Sequence, residues 1–389
     1  MKKTGEILFY IALSIELAIL IIDKSSFVNP IEGRLFQITF LFFLSKVFLT
    51  RYTGREKLTI VAFAILGAIS YTFTGRNEII RIVIFIAACK DLNMKDVLKY
   101  VFWVTLCGCA CLIILSLTGI LGTIKMTDIF RADVIETRYC FGLGHPNALH
   151  CMFFMLTLLW LYLWGEDIKI WKSLIIIAMN CGLFLLTKSK TGAAMTIFAV
   201  VITLIGRYKK IKEKSLIYGL TVMELAGCVG LAWVAAACSR ILPYHDNLRM
   251  LDRLLSDRII NLYYGSATHE GILTTWRWFG VPENKYYFDM GWVRLFYWYG
   301  IIPAFLYICV LVVLIRQLKI QKDYMGVVML ASIFLYMLVE AHTVSVYIAR
   351  DYTLFLLGKY WCDMLPGNNR AESFWWEFPW LVNREKTSN

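Results

Sequence analysis

Proline is scarce in this chain, with 7 residues among 389, so little in it would interrupt a long helix. No stretch is free enough of apolar runs to hold a sizeable soluble domain. The N-terminal Lys2-Lys3 and the apolar run behind them lack a small-residue cleavage site, so this segment is expected to stay as a first helix and not leave as a signal peptide. No solenoid period or low-complexity tract is present. The long polar loops contain no Asp-x-Asp pair and no His/carboxylate cluster, so no metal and no other cofactor is expected.

What is present is hydrophobic surface. Apolar residues make up 59% of the chain, against about 45–50% in an ordinary globular domain. A net charge of +12 would suggest nucleic acid in a soluble protein. Here the Lys and Arg clusters fall between apolar segments, so they read as orientation signals in a bilayer, with membrane lipids and no nucleic acid as surroundings. The 11 cysteines form no framework. Cys107, Cys109 and Cys111 sit two apart within one apolar run and point to different helix faces, so they cannot clamp one metal.

A crossing helix needs about 20 mostly apolar residues. The pattern predicts an all-α, polytopic transmembrane bundle of about twelve spans, near 6–22, 35–50, 58–75, 78–89, 100–122, 146–164, 173–187, 191–206, 215–238, 291–315, 327–347 and 351–362. The fourth and twelfth are short. With the N-terminus inside, the basic stretches 51–57, 90–99, 169–172, 207–214 and 316–322 all fall inside. Both termini are then cytoplasmic. Residues 1–363 form the membrane domain, and a large loop, 239–290, lies outside between spans nine and ten. Residues 364–389 form a cytoplasmic tail in which Phe374-Trp375-Trp376-Glu377-Phe378-Pro379-Trp380 suits either a bilayer interface or packing on the protein's own loops.

Costly residues gather at the outer boundary. Arg138-Tyr139-Cys140-Phe141-Gly142-Leu143-Gly144-His145-Pro146-Asn147 leads into the sixth span, with Pro146 suited to a first helical turn and His145 and Asn147 at its mouth. Lys188-Ser189-Lys190-Thr191-Gly192 makes a short outer turn with two cations, against the inside rule. Leu248, Leu251, Leu255, Ile259 and Leu262 form a helical stripe over 247–264, read as a helix on the outer surface that contains Arg258. Arg277, Asp289 and Arg294 flank the tenth span. Glu340 and His342 end the eleventh, followed by Arg350 and Asp351. Glu16 and Glu224 lie nearer mid-membrane and read as protonated acids in helix-packing hydrogen bonds.

These elements, in this order, resemble the polysaccharide polymerases of the Wzy type, within the O-antigen ligase-like membrane superfamily. The resemblance rests on Thr74-Gly75-Arg76-Asn77-Glu78 leading to Lys90, on the Gly144-His145-Pro146-Asn147 element, and on Lys188-Ser189-Lys190-Thr191-Gly192, where Lys190 stands in the place of Arg. It continues through Leu255-Ser256-Asp257-Arg258, where Asp257 takes a glycine's place, then Phe279-Gly280, Asp289 and Tyr299-Gly300-Ile301-Ile302, and Glu340-Ala341-His342. What it implies is a GT-C-like glycosyltransferase on the outer face of a bacterial cytoplasmic membrane, making capsule, exopolysaccharide or O-antigen. Its donor and acceptor would be glycans on polyprenyl pyrophosphate, with a repeat-unit flippase and a chain-length regulator as possible partners. Arg138 and Arg258, helped by Lys188, Lys190 and Asn147, would bind pyrophosphate. His145, then His342 or Glu340, would take the acceptor's proton. Arg76, Arg277 and Asp289 would be structural or substrate contacts. A ligase with another acceptor, or a transporter, is the alternative; a transporter would favour internal repeats and mid-membrane polar groups.

The topology is testable. In a background without native cysteines, a single cysteine at Asn247 should react with a membrane-impermeant reagent in intact cells, and one at Lys210 should not. Reaction of both would overturn the orientation.

Overall fold

The computed structural model describes residues 2–131, 134–206 and 215–368. The basic run at 207–214 and the aromatic tail beyond 368, including Phe374 to Trp380, lie outside the described residues.

Fifteen α-helices account for most of the described chain: α1 (Lys2–Asp23), α2 (Glu32–Phe48), α3 (Gly54–Thr74), α4 (Glu78–Ala88), α5 (Met94–Leu117), α6 (Pro146–Trp164), α7 (Ile170–Thr187), α8 (Lys190–Ile205), α9 (Ser215–Cys238), α10 (Asp246–Leu254), α11 (Arg258–Tyr264), α12 (Gly291–Tyr299), α13 (Ile301–Ile320), α14 (Tyr324–Tyr336) and α15 (Tyr352–Tyr360). Seven of them, α1, α3, α5, α6, α7, α9 and α13, are long and apolar enough to cross a membrane, and α8 and α14 are shorter apolar helices. Many side chains on their outward faces are large and apolar, such as Leu58, Ile65, Leu174, Leu185 and Met223. That pattern suits lipid contact.

Local chemistry sets the helix ends. Thr53 and Glu56 form a reciprocal capping box at the start of α3, and Gly75, left-handed at φ 69°, closes it. Asn93 caps α5 and Asp323 caps α14. The eleven cysteines are all unpaired.

Several predicted spans are built differently from the expectation. Segments 78–89 and 351–362 become α4 and α15, of 11 and 9 residues. At ~1.5 Å rise per residue such helices cover about half of a ~30 Å hydrocarbon layer. The two pack against each other in the interior. Segment 327–347 is helical only to Tyr336, and 337–351 is irregular apart from one short 3-10 turn. Segment 291–315 is broken at Gly300 (φ 91°) into α12 and α13. The stripe at 247–264 is two helices, because Ser256 (φ 57°) and Asp257 (φ 61°) turn the chain between them. The segment between the fifth and sixth predicted spans carries an antiparallel hairpin of β1 (Lys125–Arg131) and β2 (Val134–Tyr139). The hairpin, α10 and α11 lie at the end of the bundle where α1, α5, α7 and α9 finish. We call it the hairpin end.

The break at Gly300 is supported from the side. Ile301 and Ile302 donate to the carbonyls of Arg277 and Trp278, and Gly280 donates to Tyr299 O at 3.0 Å. A Cβ on Gly300 would stand 2.5 Å from Phe279 Cα, in a conformation that side chains rarely adopt. Gly300→Ala should therefore destabilise the purified protein by about 2 kcal/mol or more. Gly182→Ala on α7, where a Cβ meets nothing within 4 Å, should be neutral or mildly stabilising. Thermal unfolding followed by tryptophan fluorescence compares the two. Equal melting of Gly300→Ala and the parent protein would contradict the packing described.

Candidate functional site

Backbone hydrogen bonds hold both ends of the irregular stretch 337–351, whereas between Ala341 and Ala349 only Ser345 N–H, to Thr343 O, donates to a backbone carbonyl among the described residues. Three arginines from three elements reach its carbonyls. Arg258, the first residue of α11, donates through Nε to Val339 O at 3.2 Å. Arg294 of α12 donates through Nη2 to Ala341 O. Arg81 of α4 donates through Nη1 to Val346 O at 2.9 Å. Buried backbone without a partner is costly, and this stretch is tolerated because protein groups satisfy it.

Arg258 is also the centre of an ion-pair network. Its Nη1 lies 2.7 Å from Asp289 Oδ2 and its Nη2 lies 3.2 Å from Glu340 Oε1. The turn before it aims the side chain. Asp257 is left-handed, the conformation that suits a glycine at this place. The cap of α11 comes from Asp252, whose carboxylate accepts from Ile259 N at 2.7 Å and Ile260 N at 3.3 Å. Burial raises the pKa of Asp252 despite those two bonds.

His145 caps α6. Its Nδ1 accepts from Asn147 N at 3.1 Å, so the neutral ring carries its proton on Nε2. Burial lowers its pKa, helped by the positive charges of Arg138 and Arg258 and opposed by Asp289 and Asp128. Groups from four separate segments thus share one electrostatic neighbourhood. Gly144, at φ 64°, lets this loop run along the carbonyls of Lys24 and Ser25 at the end of α1.

The remaining predicted residues are placed as follows. Arg138 is buried on β2, with Nε and Nη2 on Glu136 Oε2 at 2.9 and 2.7 Å. Two residues apart on a strand face the same side, so its charge is balanced locally. Asn147 contributes its backbone N–H to His145. Lys188, left-handed at φ 53°, and Lys190, the first residue of α8, are exposed at the same end of the bundle. Arg76 lies over the Trp298 ring, donates to Asn284 O at 3.1 Å and stands 3.8 Å from Glu78, a structural tie. The Arg277 side chain is exposed, and its contribution is the carbonyl that supports Ile301.

His342 is buried away from Glu340. Its Nδ1 accepts from Arg350 Nε at 2.9 Å and lies 3.1 Å from Cys151 Sγ. The single lone pair of the neutral ring is therefore occupied, and the same holds for the Nδ1 of His145. Both histidines were expected as proton acceptors, and in this structure the Nδ1 of each already accepts a hydrogen bond. Glu340 keeps a carboxylate oxygen beyond the one on Arg258, and its side chain is 23% exposed. As a group, Arg258, Glu340, Asp289 and His145 can orient a hydroxyl, accept its proton and donate a hydrogen bond from the ring.

Some participants were missed. Arg81 sits within the apolar run of α4 and pairs with Glu16 at 3.1 Å, to which Thr39 also donates. Glu16 makes the expected helix-packing hydrogen bond, with Thr39 of α2, and also stands beside Arg81. A lone Arg in such a run was the available signal. Glu224 makes no packing hydrogen bond, and its Oε1 is buried without a partner among the described residues. His150 was also passed over. It is fully buried, bonded to Thr187 Oγ1 and Asn180 Oδ1 at 2.9 Å each, and so ties the α7–α8 turn to α6.

No protein-family model matches this chain, and neither a curated protein nor a solved structure matches it.

Proposed function

We propose that the hairpin end is an extracytoplasmic glycosyl-transfer site of a Wzy-like polymerase, which joins oligosaccharide repeat units carried on polyprenyl pyrophosphate. The observation that carries this reading is the meeting of Arg258, Asp289, Glu340 and His145 at one end of an apolar bundle, above an unwound stretch. A transferase needs a base for the acceptor hydroxyl and cations for the departing phosphate; a purely structural tie needs neither.

The other side of that stretch supports a lipid-linked substrate. Thr343, Ser345 and Asp351 line a cleft of about 440 Å³ between α3, α4, α13 and α15. Its walls include Ile60, Phe63, Leu66, Ile82, Val310 and Val313, an apolar lining that suits a prenyl chain.

In the proposed reaction the carboxylate of Glu340 takes the acceptor hydroxyl's proton. The acceptor oxygen forms a bond to the donor's anomeric carbon as the bond from that carbon to pyrophosphate breaks, and the pyrophosphate leaves with the electron pair. Arg258 holds Glu340 and Asp289 in place. The Nε2–H of His145 is a donor for a sugar or phosphate oxygen.

With defined lipid-linked donor and acceptor, single-turnover transfer by Glu340→Gln should fall at least about 100-fold. Arg258→Lys should retain part of the activity, because charge remains but the planar fork is lost. His145→Gln should cost less than either. The His145 pKa lies below its ordinary value, so the ring is neutral above about pH 6.5, and its replacement should have the same effect at pH 7 and pH 8. Full transfer by Glu340→Gln at matched membrane abundance would remove the base assignment. An effect of His145→Gln that grows from pH 7 to pH 8 would contradict its role as a neutral donor.

A further inference from the structure

Arg294 and Arg350 differ from the buried arginines that carry ion pairs. Arg81, Arg138 and Arg258 each have a carboxylate within 3.2 Å. Arg294 and Arg350 have no ion pair among the described residues. Arg294 is fully buried, and its Nε and Nη1 have no hydrogen-bond partner there. The rings of Tyr287 and Trp298 lie 3.9 and 4.7 Å from its guanidinium. Such contacts offset only part of what burying an unpaired charge costs. Arg350 is half-buried and bonds through Nε to His342.

The two positive charges act on each other, and both act on His342 together with Lys24. The nearby carboxylates are engaged elsewhere: Asp23 with Lys24 and Tyr347 at 2.7 Å each, and Glu340 with Arg258. Positive charge, with the Nε and Nη1 of Arg294 lacking a hydrogen-bond partner among the described residues, therefore stands one residue along the chain from Glu340, at the Ala341 carbonyl that Arg294 holds. An anion with several oxygens meets both needs, since guanidinium forks match phosphate geometry.

We propose that Arg294 and Arg350 form an anion subsite that receives a phosphate or pyrophosphate group. Tyr287 covers one face of Arg294 and is itself 58% exposed, so its ring is the side chain that an incoming anion displaces or slides past. Placing the leaving pyrophosphate here rests on the transfer reaction proposed above. Anion binding itself does not.

The test is calorimetric titration of the full-length protein in nanodiscs of neutral lipid, with inorganic pyrophosphate in one arm and geranyl pyrophosphate in the other. Both ligands binding with equal affinity identifies the phosphate group alone as what is recognised. Tighter binding of the geranyl form identifies a lipid headgroup as its source. Arg350→Gln and Arg294→Gln should each weaken binding at least 10-fold, with Lys99→Gln, on α5 and paired with Asp96, as the unaffected control. Arg350→Gln keeps the test sound should Arg294→Gln melt early. Absence of binding of either ligand, or unchanged affinity in Arg350→Gln, would overturn the subsite. Tight binding that is lost in both arginine variants, in a protein that transfers no glycan, would leave the subsite standing and remove the polymerase reading.

Discussion

Backbone that leaves a helix inside an apolar bundle must find partners in the protein, because hydrocarbon offers none. In this chain the stretch 337–351 does so by accepting hydrogen bonds from Arg81, Arg258 and Arg294. A guanidinium suits this task. It donates along several directions at once, so one side chain can hold a carbonyl and still reach a carboxylate. The positions of α4, α11 and α12 around the stretch follow from where those three side chains must reach.

The three arginines end in different electrostatic situations, and the difference separates scaffold from site. Arg81 is matched by Glu16 and closes a buried contact among α1, α2 and α4. Arg258 faces two carboxylates, leaving the local balance negative, the condition for a group that is to accept a proton. Arg294 faces none, leaving it positive beside Arg350, the condition for holding an anion. The proposed base and the proposed anion seat thus share one unwound segment. The short helices α4 and α15 and the break at Gly300 leave room for it within the bundle.

The long apolar helices were legible in the sequence, because a run of about 20 apolar residues has few other stable forms. The unwound stretch was not. Val339, Ala341, Val344 and Ile348 are as apolar as a helix would require, and composition alone cannot tell backbone satisfied by a neighbour's arginine from backbone satisfied within its own helix. Glu340, Asp289, Arg258 and His145 could be picked out as costly residues near one boundary. Which nitrogens of His145 and His342 already accept a hydrogen bond could not be read, because Asn147 N and Arg350 Nε supply those bonds in three dimensions. The Arg138–Glu136 pair could have been read from strand spacing, had the hairpin been expected. Asp257 holds a left-handed backbone conformation, which aspartate accepts more readily than most residues.

The central claim is that three arginines hold 337–351 as an ordered, non-helical floor beneath the site. Hydrogen–deuterium exchange of peptides spanning 337–351 addresses it directly. The account predicts slow exchange in the parent protein, and faster exchange in Arg81→Gln and Arg258→Gln at unchanged protection of α6. Exchange at the rate of an open loop in the parent protein, or unaltered slow exchange in both variants, would contradict it.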